Sequence, residues 1–373
     1  MDQKFDDIRP FTDAEIPAAM NRIAESSALP LLASYVCPEK PLDEVRAMLR
    51  SFKTIKDFQL GVMHHANEQI IENSITQFTY GGIEQLKTSK HYLFISNHRD
   101  IMLDASLLQN VLADTGHETS QITFGANLMT HPLVVDIGKS NKMFRVERPG
   151  GSIKEFYKSS LHLSEYIRQV ITKEHESVWI AQRNGRTKDG NDQTDQGIIK
   201  MFCMSKPDEK IAALSELNIA PIAISYEWES CDILKTLELY ESQYTKYTKK
   251  PGEDLNSIIT GILQPKGQVH IEFCAPIQRA ELSAFSRLTN NEYHKAVARL
   301  IDTRINTNYR LYPNNYIAHD LRFGNKTYSD LYTQQEYDAF KQRLDSLEKY
   351  ETCDIDRLKD IFLGIYSNPV DNK

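Results

Sequence analysis

No stretch of the sequence approaches the roughly 18 consecutive apolar residues that a membrane-spanning helix needs, so no segment is expected to cross a bilayer. Cysteine is sparse: Cys37, Cys203, Cys231, Cys274 and Cys353 lie far apart with no C-x-x-C pair. That pattern is neither a disulfide framework nor a zinc site, and it fits a reducing cytoplasm. An excess of positive charge is also missing. With 44 Lys and Arg against 51 Asp and Glu, the formal net charge is -7, which argues against a protein built to coat nucleic acid. The first residues, "MDQKFDDIRPFTD", are acidic and polar and lack the basic region and apolar core of a signal peptide. Internal repeats and low-complexity tracts are absent. The expectation is a cytoplasmic protein, one that meets lipid, if at all, peripherally from the cytoplasmic face of the membrane.

What is present is ordinary globular material: 373 residues, 40% hydrophobic and 25% charged, enough to bury a sizeable core. Residues 1–85 read as a helical N-terminal region. Thr12 and Glu15 form a capping-box pattern, with Phe11 and Ile16 spaced for a hydrophobic staple. "LDEVRAMLRSFKTIKDFQL" and "ANEQIIENSITQF" continue the helical texture until Gly81-Gly82 breaks it. From His91 the texture changes to short β-branched and aromatic runs: "HYLFIS", "QITFGA", "KMFRVE", "SVWIAQ", "APIAISYE" and "QVHIEF". Longer helix-period segments separate several of them. The clearest, residues 152–173, opens with the capping box S-I-K-E and carries Ile153, Phe156, Leu163, Ile167 and Val170 on one face. Strands alternating with helices predict an α/β fold, with a mixed, largely parallel sheet flanked by helices. The second unit is expected over residues 86–373, with a C-terminal helical extension from about residue 280.

The segment "FISNHRDIMLDASLL" carries the sharpest chemical signal. His98-Arg99-Asp100 spells the catalytic-loop tripeptide of a protein kinase. That loop also needs a lysine two residues after the aspartate and a metal-holding asparagine five after it, where this chain has Met102 and Ala105. No G-x-G-x-x-G lies upstream, and "RFGN" lacks the aspartate of D-F-G. Kinase chemistry is excluded for want of magnesium ligands.

Four blocks in order, "NHRDIMLD", "KMFRVER", "IAQRNGRTKDG" and "IAPIAISYEW", resemble those of the glycerophospholipid acyltransferases, which include glycerol-3-phosphate and lysophosphatidate acyltransferases. They cover roughly residues 90–230. The resemblance implies transfer of a fatty acyl group from a thioester, acyl-CoA or acyl carrier protein, to a hydroxyl of a phosphorylated glycerol or lysolipid acceptor. No metal and no cofactor is implied, and the partners are the donor, the acceptor and a membrane surface, with no nucleic acid. Histidine, with an ordinary pKa near about 6.5, suits removal of the hydroxyl proton, and a carboxylate would fix its tautomer. His98 is thus the expected general base and Asp104 its partner. Asp100 is the rival, because the family's H-x4-D is here stretched to five intervening residues.

Phosphate binding falls to Arg148, at the end of the second block, and to Arg186 in the third, where Gly185 lets the backbone approach a ligand. Arg99, Arg145, Arg183 and Lys188 are accessory, either adding charge toward the acceptor or standing as solvated surface charges. Asn184 occupies the place of the family's glutamate before glycine, so a charge is lost there. That change leaves open a competing reading, a non-catalytic lipid- or carrier-binding protein that keeps the fold. Pro221, in the fourth block, is expected to place its strand at an edge or bulge. His64, His65 and Glu68 have metal-like helical spacing but no further ligand in the sequence, and they read as surface residues. "YTKYTKK" forms a basic, aromatic patch suited to an acidic carrier or headgroup, or simply a solvated loop.

Overall fold

The change of texture at His91 is where a sheet is assembled. The computed structural model of the protein describes residues 3–147 and 152–373. Its strands are β1 (Ile75–Gly81), β2 (Leu93–Ser96), β3 (Gln121–Gly125), β4 (Met143–Val146), β5 (Val178–Ala181), β6 (Ile219–Tyr226) and β7 (Gly267–Phe273). They form one seven-stranded sheet in the order β1-β7-β6-β2-β5-β3-β4. From β6 to β4 all neighbours are parallel; β7 runs antiparallel to β6 and parallel to β1. The expected mixed, largely parallel sheet flanked by helices is what forms.

Helices cross over both faces. On one face Leu93, Ile95, Val178 and Ile180 pack against Ile167 and Val170 of the Ile153–Thr172 helix and Ile199 of the Gln196–Cys203 helix. On the other, Phe94, Ile122 and Trp179 pack against Leu103, Leu107 and Val111 of the Leu103–Asp114 helix. Period-2 alternation along β2 and β5 thus feeds two separate cores. The N-terminal helices hold a core of their own, including Ile16, Met20, Leu49 and Phe58. An ion pair between Arg22 and Asp136, at 2.6 Å, connects the first of them to the Pro132–Ser140 helix. The C-terminal helices form another core around Phe340, Phe362 and Tyr366. They dock through buried Asp232, which accepts hydrogen bonds from Arg343 at 2.5 Å and Tyr366 at 2.8 Å.

Three sequence-based expectations change. The segment "ITQF", read as the end of a helix, opens β1, because the helix His65–Ser74 ends at Ile75 and the chain joins β7. In the helix Ile153–Thr172 the Ser152–Glu155 capping box forms, and Ile167 and Val170 are buried, yet Ile153 is 91% and Phe156 42% exposed. The cause is length: this 20-residue helix spans about 30 Å, whereas the four-residue β4 beside it spans about 13 Å, so its first turns overshoot the sheet. Pro221 lies in β6, between β7 and β2, and not at an edge. Its carbonyl accepts from Cys274 N at 2.9 Å, so its missing N–H faces β7, at the end where the paired register begins with Ile222. A ladder end has no donor to lose. Among the described residues, no helix is long and apolar enough to cross a membrane.

Candidate active site

His98 leaves the sheet two residues beyond the end of β2, and its position is fixed by side chains as well as by the ladder. Asn97 continues the pairing to β6: its Nδ2 donates to Ile224 O at 2.9 Å and its Oδ1 accepts from Ile224 N at 2.8 Å. The His98 carbonyl accepts from Thr187 N at 2.7 Å, which joins the first sequence block to the third. The imidazole sits edge-on to Trp179, with ring centroids 5.6 Å apart.

His98 Nδ1 lies 2.8 Å from Asp104 Oδ2. That same oxygen accepts from Arg99 N at 2.6 Å and Asp100 N at 2.9 Å, while Oδ1 accepts from Tyr226 Oη at 2.7 Å. Burial alone would raise the pKa of Asp104, but the hydrogen bond and charge of His98, with the bonds from Asp100 N and Tyr226, hold it below the ordinary carboxylate value. With Asp104 ionised, Nδ1 carries the proton. Nε2 is then the basic nitrogen, on a side chain that lines a cavity of about 1500 Å³.

The two candidate carboxylates are thereby separated. Asp100 turns away: Oδ1 accepts from Met102 N at 2.8 Å and Leu103 N at 2.9 Å, capping the helix, and Oδ2 takes the Ser230 hydroxyl. The additional residue between His98 and Asp104 is taken up by a loop coiled around the Asp104 carboxylate. The backbone N–H groups of Met102 and Leu103 at this helix start are occupied by Asp100 and are not free to hold an oxyanion or phosphate.

Asp104 also predicts a pH effect on stability. A carboxylate with a lowered native pKa contributes stability that is fully present above its unfolded pKa of about 3.9 and is lost as pH falls through the lower native value. Asp104→Asn removes this contribution, so its melting temperature should fall less steeply than wild type on acidification below about pH 4. Melting curves across that range check this, and parallel curves for the two proteins would contradict it.

Of the other residues read from the sequence, Arg186 has the geometry of a ligand-binding group. It lines the cavity, and its Nη1 is buried without a hydrogen-bond partner. Gly185 beside it has φ +76° with open space where a Cβ would stand, and exposed Asn184 and half-buried Arg183 line the same wall. Arg99 does not belong to this wall. It is 1% exposed and bonded to Asp192 at 2.6 Å and Glu229 at 3.1 Å, so its guanidinium has no face left for a substrate. Lys188 lines the cavity, but its ammonium is paired with Glu238. Arg145 is exposed and paired with Glu147 at 2.7 Å. Arg148 lies outside the described residues. In the basic patch, Lys249 is paired with Asp254, and both line the cavity.

The rest of the cavity is mainly apolar and reaches both faces of the sheet, from Ile122, Phe124 and Met143 to Leu163, Ile198 and Met201. Such a space fits an alkyl chain running past His98. Tyr226, Asn97 and Thr187 were missed as positioning residues. Tyr226 and Thr187 do fall inside quoted blocks and Asn97 adjoins the histidine, which was the only signal available.

Residues 77–225 match the family model described as Acyltransferase. No curated protein matches the chain. Among solved structures, the 1-acyl-sn-glycerophosphate (LPA) acyltransferase PlsC from Thermotoga maritima is similar at 10% identity, with a TM-score of 0.38 over 79% of this chain and 97% of that one. The resemblance read from the four blocks is met over this stretch: residues 77–225, which hold the first three blocks and most of the fourth, are what matches the Acyltransferase family model.

Proposed function

From an acyltransferase domain in which a histidine–aspartate pair opens onto an apolar cavity, we propose that the protein moves a fatty acyl group from a thioester to a hydroxyl of glycerol 3-phosphate or a lysophospholipid such as lysophosphatidate. The observation that carries this reading is the contact between His98 Nδ1 and Asp104 Oδ2 at the cavity wall. The acceptor hydroxyl loses its proton to His98 Nε2 as its oxygen attacks the thioester carbonyl. Asp104 holds the ring and stabilises the imidazolium, and Tyr226 with two backbone amides holds Asp104. Collapse of the tetrahedral intermediate breaks the carbon–sulfur bond, and the departing thiolate takes the proton from His98. The nucleophile belongs to the substrate, so no covalent acyl-enzyme forms and no metal is needed.

Arg186 holds the acceptor phosphate, with Arg148 as its partner in this role. The donor is acyl-CoA or an acyl carrier protein. Acceptor lipid is delivered from a membrane surface on which the protein works peripherally. This is supported by exposed Ile153, Phe156 and Tyr157 at the cavity rim, and by Leu255, Ile259 and Leu263 along one side of the helix Glu253–Leu263. Asn184 supports the competing, non-catalytic reading, because it puts a neutral side chain where the family pattern has glutamate. Turnover separates the two.

Arg186→Ala is the variant that tests the acceptor assignment. A lost charge-assisted hydrogen bond costs about 1.5–3 kcal/mol, so KM for a phosphorylated acceptor should rise by about 10- to 150-fold. KM for the thioester and for an uncharged acceptor should stay unchanged. Equal losses with charged and uncharged acceptors would remove Arg186 from the phosphate site.

A further inference from the structure

The N-terminal helices carry a second cluster of chemically able side chains. Cys37 ends the helix Leu29–Val36, Glu39 follows in the next turn, and His65 opens the helix His65–Ser74. One ligand atom from each lies within 4.8 Å of the others. Sequence spacing alone offered His64, His65 and Glu68; the fold instead brings Cys37 and Glu39 to His65 and turns His64 toward Asp114, at 2.7 Å.

Two features of His65 point to a ligand. Its Nδ1 lies 3.3 Å from Glu68 Oε2, which orients the ring from behind. Its Nε2 is buried and has no hydrogen-bond partner in the protein. A buried imidazole nitrogen without a partner is costly unless something occupies it. A carboxylate on the opposite nitrogen is the usual arrangement behind a metal-bound histidine. Cys37 is 3% exposed, so its sulfur is shielded from competing solvent. Glu39 is exposed and gives one oxygen to Lys40 at 2.7 Å, leaving the other for a shared ion.

We propose that Cys37, Glu39 and His65 form a binding site for a zinc-type divalent cation. Sulfur, imidazole nitrogen and carboxylate oxygen are the donor set this ion prefers, with water in the fourth position on the open Glu39 side. Binding releases the Cys37 proton to solvent, and thiolate plus carboxylate then neutralise the two positive charges. The ion would clamp the turn after the Leu29–Val36 helix to the His65–Ser74 helix. From there Asn67 donates to Ser106 O at 3.0 Å and Asn110 Oδ1 at 2.7 Å, on the helix that carries Asp104. The site is thus a structural clamp behind the catalytic layer, with no part in the transfer itself.

The test uses the full chain, reduced and stripped of metal with a chelator, titrated with Co²⁺ and followed by absorption. A thiolate-to-cobalt band should grow to about one equivalent and be displaced by Zn²⁺. It should be absent in Cys37→Ser, and Glu68→Gln should weaken binding by about 10- to 100-fold. His65→Gln, a change at a half-exposed position, should also abolish tight binding and keeps the test decisive if Cys37→Ser folds poorly. Zn²⁺ should raise the melting temperature of wild type and not that of His65→Gln. No thiolate band in wild type, or one that survives both ligand substitutions, would overturn the proposal.

Discussion

His98→Ala should lower the turnover number for acyl transfer by about 100- to 10,000-fold, the range a positioned general base supplies. The melting temperature should change by only a few degrees. The activity loss follows from position: His98 supplies the basic nitrogen at the cavity wall, and the other histidine that lines the cavity among the described residues, His162, is paired with Asp7 at 3.1 Å and not with Asp104. The small effect on stability follows from the network, because Asp104 keeps three of its four hydrogen bonds, from Arg99 N, Asp100 N and Tyr226. KM for the thioester should be nearly unchanged, since the alkyl chain rests on apolar walls and not on the imidazole. Steady-state kinetics and a melting curve on the same preparation check both halves. Retention of more than a tenth of the wild-type rate would remove His98 as the base.

Arg99→Ala should do the opposite, destabilising the fold with little direct effect on substrate affinity. Arg99, Asp192, Glu229 and Lys235 form a fully buried cluster of two cations and two anions, with Lys235 bonded to Glu229 at 2.5 Å and to the Arg99 carbonyl at 2.7 Å. Burial alone would lower the pKa of Arg99, but Asp192, Tyr309 and Glu229 around it hold it well above the ordinary value. Removing the guanidinium leaves Asp192 and Glu229 buried with one cation between them. Breaking a buried pair in this way costs about 3–5 kcal/mol, so the melting temperature should fall by on the order of 10 °C. Whatever fraction remains folded should keep a near-normal KM for a phosphorylated acceptor. Arg186→Ala should show the reverse pattern, a raised KM and an unchanged melting temperature. If Arg99→Ala melted like wild type and bound the acceptor poorly, Arg99 would have to be returned to the binding wall.

The difference between these arginines marks what the sequence can and cannot reveal. Strands β2 to β7 were legible because each is a short β-branched or aromatic run set off by polar residues or turns. β1 was not, because Ser74 passes directly into Ile75 with no glycine or proline to mark the end of the helix. His98, Asp104 and Arg186 could be proposed because each lies within a short contiguous block. The choice between Asp104 and Asp100 could not be made from spacing, since it depends on how the loop coils and on the hydroxyls of Tyr226 and Ser230, both contributed by distant parts of the chain. The fate of Arg99 was equally hidden: its acidic partners are 93 and 130 residues away and reach it only through the strand order. The exposure of Ile153 and Phe156 reflects a mismatch of lengths between a helix and its neighbouring strand, which periodicity alone does not encode.

The central claim is direct transfer from a thioester to a substrate hydroxyl with His98 as base. Its most direct test is thiol release from an acyl thioester by wild type and His98→Ala, with and without glycerol 3-phosphate, lysophosphatidate or an uncharged lysolipid. The account predicts release that requires an acceptor, is fastest with a phosphorylated one, and is lost in His98→Ala. Release that proceeds without acceptor, or thioester binding with no release under any condition, would contradict it.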